Sequence, residues 1–244
     1  MASFTHLQVR SGYSLMKSSI SIKKLVERAK QSGFNSLALT DEGVLHGALE
    51  FYQACHEADI HPVIGMSVEL LEGETLFSAV LLAENQEGYR NLLKLSTYIQ
   101  TGDTRSLELE ELQPYTTGII FILPAAGSPL AVYLEKGQEQ AAYHFFSEWS
   151  SLFERSKAYI GIGDHQVEQE RRLHSTLKPF ADQYGIAAVA LQDVRYLQEE
   201  DAQAYDCLTA IREGRRWSSD AMDSSNKNRH LRTPDEMEEL FSDW

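Results

Sequence analysis

Short apolar runs alternate with amphipathic stretches along most of this chain. Residues 4–9 (FTHLQV) change polarity with the two-residue period of a strand. Ile22, Leu25, Val26 and Ala29 then recur at helical spacing. Gly33 follows as a C-terminal cap, since glycine enters the left-handed backbone that ends a helix without a Cβ clash. FNSLALTD (34–41) reads as a strand, residues 47–58 as a helix, and HPVIGMSVEL (61–70) and LFSAVLLA (76–83) as two more strands. A helix over 87–100 turns Leu92, Leu93 and Leu95 inward. GIIFIL (118–123) has the unbroken apolar character of a strand covered on both faces. One short and one longer helix fill 129–156, followed by a strand (158–163), a helix (167–185), a strand (186–191) and a helix (199–213).

Seven β/α units in series predict an α/β fold with a parallel sheet and covering helices. The count favours a closed or nearly closed barrel over residues 1–213. From residue 214 the periodicity stops, and RRWSSDAMDSSNKNRHLR reads as a polar linker. Thr233, Pro234 and Glu236 then form a helix start: an N-cap hydroxyl, a proline in the first turn and a capping-box carboxylate. Residues 214–244 are therefore expected to be a linker and the start of a helix leading into further domains.

The chain has 244 residues, enough for a sizeable core, and no apolar run approaches a membrane span. Two cysteines, Cys55 and Cys207, do not make a disulfide framework and point to buried free thiols in a cytoplasmic protein. A net charge of −14 argues against a broad DNA-gripping face, because phosphate binding needs clustered cations. No GxGxxG or Walker A motif is present.

In barrels of this kind reactive groups gather at the C-terminal ends of the strands. Those ends offer Gln8 and Arg10, Asp41 and Glu42, Ser67, the 76–83 strand, Ala125, Asp164 and His165, then Asp193 and Arg195. The set lacks the histidine cluster a transition metal prefers. By itself it supports a polar pocket in which Asp41 and Asp193 cap loops or pair with arginines. His6 reads as a core or hydrogen-bonded histidine. His46 opens a helix within reach of the pocket, and His165 is the best histidine for chemistry, with no His or Cys companion. His56, His61, His144, His174 and His230 read as surface or loop residues.

Several blocks carry a family likeness. FTHLQVRSGYSLMKS (4–18) resembles the opening motif of the polymerase-and-histidinol-phosphatase (PHP) domains of bacterial DNA polymerase III alpha subunits, roughly F-V-H-L-H-x-H-T/S-x-Y-S-x-L-D-G. SLALTDEGVLHGALEFYQACHEADIHPVIG (36–65) resembles the block with T-D-H-G and G-x-x-x-F-Y, and VLLAENQEGYRNLLKLST (80–97) follows that family's wording closely. ALQDVRYLQEEDAQAYDCLTAIREG (190–214) resembles its D-V-H-Y-L block, and RTPDEMEELF (232–241) its helix towards the polymerase palm. The likeness spans almost the whole chain and implies a distorted (β/α)7 barrel of the PHP type.

The resemblance also implies a cluster of up to three metal ions held by nine His, Asp, Glu and Cys side chains. At the matching positions this chain has Gln8, Arg10, Lys17, Glu42, Ser67, Ser78, Ala125, Asp193 and Arg195, and only Asp193 keeps the family's residue type. Arginine offers no lone pair and stays protonated, so Arg10, Lys17 and Arg195 repel a divalent ion. The expectation is a dismantled metal site, with no catalytic residue and no metal, in which these cations neutralise Asp41, Glu42 and Asp193. The domain is then a scaffold holding the rest of a polymerase, whose own Mg2+ lies outside these residues, and a partner such as a proofreading exonuclease. DNA would be met through the parent, and no membrane is involved. Two alternatives stand beside it: a metal-dependent phosphoesterase or 3′–5′ exonuclease with a reduced metal site, and a separate barrel hydrolase acting on a small molecule.

Overall fold

A computed structural model of the chain describes residues 4–217, 226–242 and 244. Residues 218–225, in the middle of the expected linker, lie outside the described residues. The elements follow the expected order: β1 (Gln8–Val9), α1 (Ile22–Gln31), β2 (Ser36–Leu39), α2 (Ala48–Ala58), β3 (His61–Glu72) and β4 (Thr75–Ala83). Then come α3 (Gln86–Thr101), β5 (Ser106–Leu107), α4 (Leu109–Leu112), β6 (Ile119–Pro124), α5 (Pro129–Glu135), α6 (Glu139–Ser150) and β7 (Ala158–Ile162). The chain continues through α7 (Glu168–Tyr184), β8 (Ala188–Ala190), β9 (Asp193–Val194), α8 (Ala202–Glu213) and α9 (Pro234–Leu240).

Hydrogen-bonded neighbours run β2-β3-β4-β6-β7-β8, with β5 beside β3 and β1 beside β9. β8 and β9 are two halves of one bent strand. Leu191 N–H still bonds Ile162 O on β7 at 2.8 Å, and two residues later Asp193 registers with Gln8 of β1. Thr40 N–H bonds Val9 O (2.8 Å), so β1 also reaches β2. The strands thus curl into a distorted barrel.

The sheet is mixed, which corrects the parallel arrangement expected. β4 is antiparallel to both β3 and β6. Parallel neighbours need a crossover of a dozen residues or so, and only Gly73 and Glu74 separate β3 from β4. Gly73 takes φ +60°, and the pair forms a hairpin. The N-terminal end of β4 therefore stands at the same end of the barrel as the C-terminal end of β3.

That reversal decides what fills the interior. One face of β3 reads Val63, Gly65, Ser67, Glu69, and the facing positions of β4 read Leu82, Val80, Ser78. Val80 and Leu82 pack with Ile122 and Leu191 as an apolar plug. Towards the other end the same faces turn polar. Gly161 leaves room for Leu191 in the plug, since a Cβ there would lie 2.6 Å from its Cδ2. Outside the barrel, Met66, Leu70 and Phe121 pack under α3, α5, α6 and α7, while Leu37 and Leu39 pack under α1 and α2. Leu92 and Leu95 are buried as expected, but Leu93 is 43% exposed, because it lies a third of a turn off the inward face of α3.

Other details follow sequence chemistry. Gly33 (φ +78°) ends α1, with Phe34 N–H reaching back to Ala29 O. The Thr233–Glu236 capping box opens α9. Cys55 is buried and Cys207 half-buried, both as free thiols. Among the described residues no helix is long and apolar enough to cross a membrane. The described part of 226–244 packs on the barrel: Leu231 joins the α1–α2 core, and Phe241 and Trp244 lie against the larger one.

Candidate functional site

The polar end of the barrel opens into a cavity of about 470 Å³ lined by Arg10, Lys17, Glu42, Glu69, Ser78 and Arg195, with side chains of α8 and Arg229 completing the wall. Gln8, Ala125, His165 and Asp193 line its inner recess. Most matching positions of the family's metal ligands therefore converge. Ser67 does not line it: its buried hydroxyl donates to Thr40 O at 3.0 Å.

Ion pairs dominate this mouth. Glu42 receives Arg10 Nη1 (3.0 Å) and Lys17 Nζ. Asp193 receives Arg195 through Nε (2.9 Å) and Nη2 (2.7 Å), Arg229 through Nη1 (2.5 Å), and has Arg10 Nε at 3.8 Å. Burial alone pushes the Asp193 carboxyl upward, but Arg195, Arg10 and Arg229 outweigh it and hold it well below the usual carboxylate range. Glu42 is lowered in the same way, Arg10 and Lys17 overcoming the effect of burial. Arg195 is raised, because Asp193 outweighs its own desolvation. Arg195 Nη1 also donates to Lys17 O (3.0 Å), which ties the N-terminal loop to the last strand.

Asp41 corrects the expectation. It joins no ion pair among the described residues, because neutral donors already fill its oxygens. Ser11 donates through its backbone N–H and its hydroxyl, both at 2.7 Å, and Ser14 Oγ donates at 2.6 Å. Ser14 Oγ in turn accepts Glu42 N–H (3.1 Å). Asp41 thus builds the loop that aims Lys17 and Glu42 at each other.

His46 is exposed beside Tyr13 and lines neither the cavity nor its recess, so it does not reach the pocket. His165 does. Its Nε2 accepts Asp193 N–H (3.3 Å) and its Nδ1 meets Glu170 Oε1 (2.9 Å), which places the ring proton on Nδ1. Asp164 caps the turn after β7, accepting Gln166 N–H at 2.6 Å. His6 is fully buried and donates from Nε2 to Arg232 O (2.8 Å), as a core histidine would. His230 lies in the loop before α9, as expected, whereas His174 is half-buried on α7.

Arg229, Glu69, Tyr205, Thr209 and Arg212 belong to the mouth and were not singled out from the sequence. Glu69 had a readable signal: it lies two residues beyond Ser67 on the same strand face. Arg229 had none, since it sits in a polar stretch without periodicity. Among the described residues no three His, Cys, Asp or Glu side chains converge as a metal-holding group.

Residues 6–165 match the PHP domain family. The chain is 35% identical over 242 residues to the DNA polymerase III subunit alpha of Bacillus subtilis, covering 98% of this chain and 21% of that protein. It is 33% identical over 212 residues to the same subunit of Halalkalibacterium halodurans, covering 86% of this chain and 19% of that one. The chain thus spans about a fifth of the length of these curated relatives. Among solved structures, an amidohydrolase from Chromobacterium violaceum with bound sulfate and no metal superimposes with a TM-score of 0.54 at 12% identity, covering 78% of this chain and 87% of the other. A protein described as a metal-dependent phosphoesterase from Bifidobacterium adolescentis gives 0.51 at 12% identity, covering 79% and 88%. At that identity the likeness concerns the fold alone.

Proposed function

The chain belongs to the PHP domain family, and we propose that it is the N-terminal domain of a replicative DNA polymerase III alpha subunit, acting as a non-catalytic scaffold. The observation that carries this reading is the state of the two mouth carboxylates: Glu42 is held by Arg10 and Lys17, and Asp193 by Arg195 and Arg229 with Arg10 close by. A divalent ion needs lone pairs, and guanidinium and ammonium groups supply none. The donor set therefore does not fit the metal cluster of the PHP family. The cations take over the task a metal would otherwise perform, neutralising buried carboxylates.

Under this reading DNA synthesis belongs to other domains of the longer protein, which would carry their own carboxylates and Mg2+. The barrel offers those domains, and other replisome subunits such as a proofreading exonuclease, a rigid cytoplasmic support. Net charge −14 agrees with DNA being held elsewhere.

Elemental analysis of the purified chain, paired with a nuclease assay in zinc and manganese, tests the proposal. The expected result is far less than one bound ion per chain and no metal-stimulated hydrolysis. A stoichiometric ion with hydrolysis that a chelator abolishes would replace it with the phosphoesterase reading.

A further inference from the structure

The helical coat of the barrel is interrupted on one side. α1 and α2 share one apolar core with β2, while α3 belongs to the larger core with β4 and β6. In a regular β/α barrel a helix follows each strand and joins the outer ring. β3 passes to β4 through two residues, so that step of the chain contributes no helix. The seam between α2 and α3 is left as a groove of about 390 Å³.

Its floor is Pro62 and Ile64 on the outer face of β3, with Ala83 at the end of β4, and all three are half-buried. Its walls are Leu49 and Tyr52 of α2 and Tyr89 of α3. Leu49 is 67% and Tyr52 53% exposed. Leu93, one turn beyond Tyr89 on the same face of α3, is also exposed. Single surface leucines need no explanation, but apolar side chains gathered on facing helices mark a contact surface.

The charge beside the groove narrows the choice of occupant. Gln86 lines it, and Arg90 and Lys94 continue the row of Gln86 at four-residue intervals along α3. Both cations are exposed and join no ion pair among the described residues. Of the carboxylates nearby, Glu84 is held by Lys157 and Glu50 by Tyr13 Oη, and Glu87 answers the dipole of α3 from its first turn. In a chain of net charge −14, an apolar groove with a cationic edge selects an acidic partner.

We infer that this groove seats an amphipathic helix with an acidic edge, supplied by another domain of the same polymerase chain. Side chains one turn apart on that helix enter between α2 and α3 and complete the layer that the hairpin leaves open, and its carboxylates face Arg90 and Lys94. The source follows from length: this chain spans about a fifth of its curated relatives, and linkage in one polypeptide keeps the remainder at high effective concentration beside the barrel. The inference rests on the reading of this barrel as part of a longer polymerase. The mass of the natural polypeptide decides that reading, whereas the occupant of the groove decides this one.

The test uses the full-length protein with photoreactive benzoylphenylalanine in place of Tyr52. Irradiation should give a cross-link within one chain, which peptide mass spectrometry places outside residues 1–244. Leu49→Asp combined with Leu93→Asp should lower its yield roughly tenfold or more. Both side chains are exposed, so the barrel should keep its melting curve. Arg90→Glu combined with Lys94→Glu should lower the yield by a smaller factor, and added salt should do the same in the parent sequence. A cross-link to a second copy or to a different protein, one confined to residues 1–244, or none in a folded full-length chain would overturn the inference.

Discussion

Asp41, buried behind the loop that carries Glu42, and Asp193, in the recess of the mouth, are satisfied by their surroundings in opposite ways. Asp41 takes its hydrogen bonds from Ser11 and Ser14, neutral donors on one short loop. Asp193 takes its contacts from Arg195 two residues on, Arg229 in the segment before α9 and Arg10 just past β1. The first arrangement builds a turn. The second joins three stretches of chain far apart in sequence through charge, and charge in a shielded site is lost all at once. The difference separates a residue that shapes a loop from one that holds the barrel mouth together.

The largest effect is expected where a shielded carboxylate loses a cation. Arg195→Ala leaves Asp193 with fewer partners in a buried setting and should cost about 3–5 kcal/mol in urea unfolding followed by circular dichroism. Arg10→Ala should approach the same range, since Arg10 also serves Glu42. Stability near wild type in both variants would mean that the mouth is solvated and the ion pairs are ornamental.

His6 offers an intermediate case, a buried titratable group with neither cation nor hydroxyl to satisfy its charged form. Burial is the main cause that pushes its imidazole down to about 4, against an ordinary value of 6.5. Between those two values the unfolded chain binds a proton that the native chain refuses. Stability is therefore complete above pH 6.5 and falls as pH drops towards 4. The whole window amounts to about 3 kcal/mol. Urea midpoints from pH 7 to pH 4.5 should fall accordingly, and His6→Gln should flatten the slope. An equal slope in that variant would assign the loss to the carboxylates of the mouth. Those contribute in the same sense but at lower pH: lowered in the native state, they stabilise fully above their unfolded values and lose that stabilisation as pH falls through the lowered ones.

Asp41 should respond less than Asp193. Asp41→Asn keeps the shape and can leave its carbonyl at Oδ1, but it puts an amide donor at Oδ2 against the Ser11 hydroxyl and removes the charge, a loss of about 1.5–3 kcal/mol for hydrogen bonds to a charged group. The cost should be the same in an Arg195→Ala background, because the two carboxylates share no partner. A coupling between them comparable to either single loss would erase the distinction drawn between loop-building and mouth-holding.

What could be read in advance divides along the same line. Local chemistry was legible: Gly33, the strand and helix periods, and Glu42 beside Asp41 each depend on neighbours a few residues away. The hairpin of β3 and β4 was also written in the chain, since two residues cannot carry a parallel crossover, but counting strands without checking the connection hid it. Arg10, Lys17 and Arg195 were identifiable by likeness to a motif. Their pairing depended on tertiary closure, and so did the choice of Asp193 over Asp41. Arg229 was beyond reach, because a polar run without period gives no sign of which residue returns to the mouth.

The smallest effect belongs to a charge satisfied within four residues. Thr233 Oγ1 accepts Glu236 N–H (3.3 Å), and Glu236 Oε2 accepts Thr233 N–H (2.6 Å), closing a capping box within four residues at the start of α9. The box is exposed and borrows nothing from elsewhere in the fold, so Thr233→Ala should cost only about 1 kcal/mol. The variant sharpens the comparison by where its effect appears. A lost cap frays the helix it opens and leaves the mouth alone, so exchange should rise over 233–240 while 226–229 keeps wild-type protection. Opening of both segments together would mean that the cap steadies the chain before the helix as well as the helix itself, and its local character would be disproved.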